Sequence, residues 1–303
     1  MSESKSNDHG RYFEFLIVDM LQEKYVINLS DRAKKDQARD ITKIESINES
    51  VVEKMKISGG KIVKWLNSEL DLGNKTLLDR LPDREVGKQT HADITITDNN
   101  RKTIYFSLKH NHEAIFHGRV LSCCNWLKLN EKNIQNNFEN KKKELIKSLH
   151  QKIPVGTIFA DNGIKYEYRD LWKNFIFEIH EAVINVLSLS NKNNLYMQNL
   201  FYTIVGQGAN EFRILKKSNS SSVIIQDLTE LKLPKFVNIS NIQKKNKDSR
   251  SNYVWYLVLE FDNGIKIHAR SKQDSGTMAG TPKIKHDWKV EDWGKSGMRE
   301  KLL

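Results

Sequence analysis

At 303 residues, with 49 Lys and Arg against 38 Asp and Glu and a formal net charge of +11, the chain can bury one large core or two modest ones, and its basic surplus favours polyanionic partners, nucleic acid before acidic membrane. No stretch approaches the roughly 20 apolar residues of a membrane span, and the opening "MSESKSNDHG" has no apolar signal core. The two cysteines, Cys123 and Cys124, are adjacent; they offer neither an ordinary structural disulfide nor a CxxC metal pair, so a reducing cytoplasm is the expected compartment.

Residues 10–21 carry apolar side chains at Tyr12, Phe13, Leu16, Ile17, Met20 and Leu21, the spacing of an amphipathic helix, with Glu14 beside the apolar stripe where it would face a sheet edge. Next come two strand-like stretches, 91–97 and 103–109, around the turn Asp98-Asn99-Asn100-Arg101. Ala92, Ile94 and Ile96 alternate in the first, and Ile104, Phe106 and Leu108 in the second, so each strand has one polar face. Asp93 lies on that face of the first strand, and Ser107 and Lys109 on that of the second. An antiparallel pair has a constant sum of residue numbers, and only an even sum keeps both apolar faces together. A sum of 200 sets Asp93 opposite Ser107, at a Cβ separation of roughly 5 Å, with Lys109 diagonal to it at about 7–8 Å.

A carboxylate, a hydroxyl and a lysine in one patch suit metal-assisted phosphodiester hydrolysis. The carboxylate holds a divalent cation that lowers the pKa of water and neutralises phosphate, and the lysine orients water or stabilises developing charge. The backbone carbonyl of Leu108, between the two polar residues, can add an oxygen to the set that Mg2+ prefers.

An Asp near the end of one strand followed by (D/E)xK in the next resembles the PD-(D/E)xK nuclease motif, with two departures: Ala92 stands where the motif has Pro, and Ser107 replaces the second acid. The longer string "HADITI…YFSLKHNHEAIFHGR" is similar to that of the HaeIII type of type II restriction endonucleases, most sharply over residues 91–119, with weaker likeness in "GRYFEF" and "GIKIHARSK". The resemblance implies a mixed β-sheet flanked by helices in a restriction-endonuclease-like core, Mg2+ as cofactor, double-stranded DNA as substrate, and cleavage of a short, GGCC-like palindrome, with a cognate DNA methyltransferase encoded nearby and either a monomer or a homodimer as the active form. It also implies that a helix before the hairpin supplies the missing acid, which makes Glu14 the first candidate; Glu113, after the hairpin, is the second. A solvated glutamate at a helix start is the alternative for Glu14.

After the hairpin, His110, His112, His117 and Arg119 crowd one short segment. Phosphate contact and ordinary solvation are the two readings that remain. Zinc lacks a second ligand pair of usual spacing, and the spelling His110-Asn111-His112 is unrelated to the HNH nuclease motif. Residues 131–153, with Lys141-Lys142-Lys143, read as a basic helix, Asp161-Asn162-Gly163 as a hairpin turn, and 171–187 as an apolar helix. Residues 201–205 and 212–215 read as strands, and 244–252 as a basic loop. A second hairpin runs through 254–261 and 265–270 about Asp262-Asn263-Gly264, and its continuation offers Arg270, Lys272 and Gln273 on a flexible backbone as base-reading or phosphate-contacting donors. An ordinary polar loop is the alternative.

The division this suggests is a catalytic core over 1–150 and an α/β and hairpin region over 151–303 that contributes to DNA recognition. Two other functions stand beside this one: a repair or structure-specific nuclease on the same fold, which the sequence does not separate from restriction, and a basic DNA-binding regulator without catalysis, against which the lack of a helix-turn-helix or zinc pattern counts.

Overall fold

The structure, a computed structural model, describes residues 2–81, 92–110, 116–158, 166–206, 211–216, 220–245, 254–273 and 277–303. In chain order these form α1 (Ser2–Lys24), β1 (Asn28–Leu29), α2 (Asp31–Asp40), α3 (Glu49–Glu69), β2 (Leu77–Arg80), β3 (Ile94–Thr97), β4 (Thr103–His110) and β5 (Phe116–Arg119). There follow α4 (Cys123–Trp126), α5 (Lys132–Lys152), α6 (Arg169–Ser190), α7 (Asn194–Val205), β6 (Glu211–Lys216) and β7 (Val223–Asp227). Strands β8 (Val237–Lys245), β9 (Val254–Phe261), β10 (Lys266–Gln273), β11 (Ile284–Asp292) and β12 (Arg299–Leu302) close the chain. Among the described residues no helix is long and apolar enough to cross a membrane.

Two units result, and neither is continuous in sequence: residues 1–113, 206–231 and 297–303 form the first, and 114–205 and 232–296 the second. Residue 150, at the expected end of the core, lies within α5 of the second unit.

The first unit holds a seven-stranded mixed sheet in the order β1-β2-β3-β4-β6-β7-β12. Strands β2, β3 and β4 form an antiparallel meander, β4 and β6 run parallel, and β7 and β12 continue antiparallel. A parallel step needs a long crossover, and the second unit's residues 114–205 occupy that connection. Helices α1 and α3 pack on one face. Phe13, Ile17 and Leu21 of α1 and Met55, Ile62 and Leu66 of α3 share a core with Ile94, Ile96, Ile104, Phe106 and Ile214 of the sheet. The helix expected over 10–21 is thus the buried part of α1.

In the second unit β5-β11-β10-β9-β8 form an antiparallel sheet. The expected hairpin is β9 and β10, turned at Gly264, whose φ of 82° lies in the left-handed region that glycine tolerates. Helices α5 and α6 match the segments read from the sequence. The strand expected over 201–205 is instead the end of α7. Tyr196, Met197, Leu200, Phe201, Ile204 and Val205 are buried in adjacent pairs every four residues, a helical period. Phe-Tyr-Thr-Ile-Val taken alone has strand composition, and only the preceding turns reveal the helix. The expected strand over 212–215 is β6. The turn at 161–163 lies outside the described residues; of the expected loop over 244–252, Lys244 and Lys245 belong to β8 and the remainder also lies outside.

The second unit buries a histidine pair. His180 of α6 meets His286 of β11 with Nε2 atoms 2.9 Å apart, and its Nε2 lies 2.6 Å from Ser271 Oγ of β10. Trp126 and Trp288 pack against His286. Burial pushes the pKa of His180 down to about 4 and that of His286 well below the ordinary range, His286 further by the proximity of His180. Both imidazoles are therefore neutral in the folded state, whereas an unfolded histidine titrates near 6.5. The unfolded chain binds more protons below that value, so this part of the stability is present above about pH 6.5 and is lost as pH falls toward 4. Denaturant titrations from pH 7 to 5 at fixed ionic strength should show stability falling with pH, with a shallower slope in His180→Asn; identical slopes would mean that the pair is already protonated in the fold.

Candidate active site

The ladder between β3 and β4 pairs Ile94 with Phe106, Thr95 with Tyr105 and Ile96 with Ile104, every sum being 200 as expected from the parity of the apolar faces. Asp93 stands one residue before β3, its amide still bonded to Phe106 O at 3.0 Å and its carbonyl to Leu81 N at 2.9 Å. From there its carboxylate reaches across β4. Oδ2 accepts from Ser107 Oγ at 3.0 Å and from Leu108 N at 2.7 Å, and Lys109 Nζ is 3.6 Å from the same oxygen. The N–H and C=O of one strand residue point to the same side, so the carbonyl of Leu108 is directed toward Asp93 as well. Ser107 is buried, which fixes its hydroxyl as a support for Asp93.

Glu14 joins this group from α1. Arg80 of β2 donates from Nη2 to Glu14 Oε2 at 2.6 Å and to Asp40 Oδ2 at 2.8 Å, and from Nη1 to Gln37 Oε1 at 3.2 Å. Burial first, and then the charge of Asp93, pushes the Glu14 carboxyl up to about 7 against the opposing pull of Arg80 and Lys109. Asp40 goes the other way: burial would raise it, but Arg39 and Arg80 outweigh burial and hold it below the ordinary carboxylate range.

The repulsion between two carboxylates in a partly buried place would be relieved by further positive charge. Among the described residues, Asp93 Oδ1 and Glu14 Oε1 accept no hydrogen bond, so each acid has an oxygen to offer. No group of three or more Asp, Glu, His or Cys side chains converges among the described residues. A hard divalent ion would therefore take two carboxylate oxygens, the Leu108 carbonyl, and water or phosphate for the rest, a set that fits Mg2+.

Of the other expected contacts, His110 belongs to the first unit and the rest of the described ones to the second, where Lys285 of β11 is the register partner of both Arg119 and Lys272, and Asp287 that of both His117 and Arg270. His110 follows Lys109 on β4 and so faces the opposite side of the sheet, where it is 7 % exposed and packs against the rings of Phe13 and His9. Burial, and then Lys216 and His9, lower its pKa to about 4, which makes it neutral. His112 and Glu113 lie outside the described residues, as does the side chain of His117, whose backbone is in β5. Arg119 is exposed on β5, paired in register with Lys285. Arg270 is exposed on β10, and Lys272 and Gln273 belong to the same strand, so these three lie on a paired strand and the flexible continuation expected for them is corrected.

Sequence reasoning missed Arg80, Asp40 and Gln37. Their signal was faint but present: Ala33, Gln37 and Asp40 recur at helical spacing on α2 and are its buried residues, and Leu78 and Arg80 are the alternate buried positions of β2. It missed a polar row as well. Ser107, Arg213, Gln226 and Glu300 are successive register partners across β4, β6, β7 and β12. Arg213 donates to Gln226 at 3.3 Å, Gln226 donates to Glu300 at 3.3 Å, and burial lowers Arg213 to about 10, offset in part by Glu211.

Comparison with protein-family models, with curated proteins and with solved structures gave no significant match.

The position of Glu14 has a measurable consequence without any ligand. Its folded pKa of about 7 exceeds the unfolded value near 4.3, so its contribution to stability is fully present below pH 4.3 and is lost as pH rises through 7. Glu14→Gln should therefore raise the stability of the cation-free protein relative to wild type at pH 8, by on the order of 2 kcal/mol, and the gain should shrink toward pH 5. Chemical denaturation in EDTA at both pH values measures it; a variant less stable than wild type at pH 8 would contradict this account of Glu14.

Proposed function

We propose that this protein is a magnesium-dependent, site-specific endonuclease of the PD-(D/E)xK kind acting on double-stranded DNA, with the seven-stranded mixed sheet as a restriction-endonuclease-like core. The observation that carries the proposal is the carboxylate of Asp93, tied to Ser107, Leu108 N and Lys109 at the end of a hairpin, with Glu14 beside it. The basic balance of the chain supports a polyanionic substrate.

Asp93, Glu14 and the Leu108 carbonyl would hold the cation. When bound, the cation supplies neutralising charge to the phosphate and lowers the pKa of water. Ser107 acts through Asp93, holding its side chain in one rotamer. Lys109 has its ammonium at the edge of the carboxylate pair, where it can hydrogen-bond an attacking water, hold it in line with phosphorus, and stabilise negative charge on the phosphoryl oxygens. Ser107 is neutral, so Glu14 takes over the negative charge that the second acid of the motif supplies. The short GGCC-like target follows from the resemblance of residues 91–119 alone.

Asp93→Asn should abolish Mg2+-dependent cleavage of plasmid DNA while leaving DNA affinity, measured with Ca2+ or in EDTA, within a few-fold of wild type, because it removes a ligand charge and no basic surface. Ser107→Ala should retain part of the activity, since one neutral hydrogen bond of about 1 kcal/mol supports Asp93 there. Cleavage by Asp93→Asn at the wild-type rate would refute the assignment, and DNA binding by wild type without cleavage in any divalent cation would favour a regulator over an enzyme.

A further inference from the structure

Arg80 is the most deeply buried arginine near the candidate site, at 2 % exposure, and its backbone belongs to the same ladder as Asp93. Arg80 pairs in register with Ile94, and the next residue, Leu81, donates its amide to Asp93 O at 2.9 Å. Its own amide bonds Asp79 Oδ1 at 2.8 Å. The ladder that locates Asp93 therefore also locates the guanidinium that grips Glu14, and the two carboxylates, one on a strand edge and one on a helix, share a single rigid reference.

The two acids bound by Arg80 are held differently. Both oxygens of Asp40 are occupied: Oδ1 accepts from Arg39 Nε at 2.6 Å, and Oδ2 from Arg39 Nη2 at 2.7 Å and Arg80 Nη2 at 2.8 Å. Glu14 is held by Oε2 alone, at 2.6 Å. An ion pair serving only to satisfy buried charge would be expected to saturate both partners. Asp40, itself shared with Arg39, offsets part of the charge of Arg80, which acts on Glu14 both as a positive charge and as a hydrogen-bond donor. Partners that hold a carboxylate by one oxygen and leave the other open are what orients a metal site.

Building on the nuclease proposal, we infer that Arg80 is a positioning residue: it grips Glu14 by one oxygen, against the Asp40 and Gln37 backing, so that the other is presented beside Asp93 to a divalent cation. Lysine cannot replace it fully, because a single ammonium lacks the planar fork that reaches Glu14, Asp40 and Gln37 together.

The test is calorimetric titration of Mn2+ into wild type, Arg80→Lys, Arg80→Gln, Glu14→Gln and the Glu14→Gln/Arg80→Gln double variant, with circular dichroism confirming each fold and plasmid cleavage run in parallel. Arg80→Gln should weaken Mn2+ binding roughly 10- to 100-fold, Arg80→Lys should fall between it and wild type, and the double variant should bind no more weakly than Glu14→Gln alone, since Arg80 acts through Glu14. Should Arg80→Gln fail to fold, Arg80→Lys carries the decision. A folded Arg80→Lys with wild-type Mn2+ affinity, or a double variant whose loss is the full product of the single losses, overturns the inference. Wild-type protein that neither binds Mn2+ nor cuts DNA fails the nuclease proposal itself, whereas wild type and both Arg80 variants binding and cutting equally well fails only the role given to Arg80.

Discussion

The pairing of Ile94 with Phe106 orients both faces of the seven-stranded sheet at once. Side chains alternate with a period of two, so a slip of one residue would carry Ile94, Ile96, Ile104, Phe106 and Leu108 away from α1 and α3 and bring Thr95, Tyr105 and Lys109 into their place. Burying that apolar set is worth about 1.5–3 kcal/mol per large side chain, which makes the register one of the most strongly enforced features of the unit. Asp93 inherits its position from that enforcement. It precedes the last ladder pair by one residue, so its carboxylate can turn across β4 and meet Leu108 N, which has no β3 residue to pair with. Core packing thereby aims the carboxylate.

Electrostatics around the site alternate in sign. Asp36 pairs with Arg39, Arg39 with Asp40, Asp40 with Arg80 and Arg80 with Glu14, while Asp93 pairs with Lys109. The outer members are partly exposed and screened, where an ion pair contributes little. Toward Arg80 and Asp40 water is excluded and each charge needs its neighbour, because breaking a buried pair by deleting one partner typically costs about 3–5 kcal/mol. The alternation fails at one place: Glu14 and Asp93 are neighbours of like sign, and this repulsion adds to burial, the larger cause, in raising Glu14 to about 7. Perturbed groups of this kind cluster at functional sites because stability has been given up for reactivity there.

What the sequence made legible follows from which interactions are local. The hairpin, its register, the convergence of Asp93, Ser107 and Lys109, and the placement of Glu14 on an early helix all rest on periodicity within short stretches and on the parity rule, and each can be read without knowing the rest of the chain. Arg80 could not be weighed that way, because its partners Gln37 and Asp40 are 43 and 40 residues away and Glu14 is 66 away. An arginine in a short strand has the same spelling whether it faces solvent or a buried carboxylate. The discontinuous units were hidden for the same reason: β4 and β6 are neighbours across an insertion of nearly a hundred residues, and local patterning carries no mark of that return. Misreading the end of α7 has a different source, since its five last residues satisfy strand composition and helical spacing alike, and only a longer window decides.

Ser107 and Glu14 are best understood as one arrangement. An acid at position 107 would stand opposite Asp93 at roughly 5 Å, in a spot that is buried and already holds one carboxylate, and the only cation in contact with Asp93 among the described residues is Lys109. A hydroxyl there instead donates to Asp93 and adds no charge, so the strand pair keeps one carboxylate matched to one ammonium. The second negative charge then enters from α1, on a side chain long enough to approach from another direction and backed by its own buried cation in Arg80. Separating the two acids in this way gives each a distinct counter-charge, Lys109 for Asp93 and Arg80 for Glu14, and leaves one oxygen of each uncommitted. The neutral side chain of Ser107 and the burial of Arg80 are thus two halves of the same electrostatic solution, the first visible in the sequence and the second only in the fold.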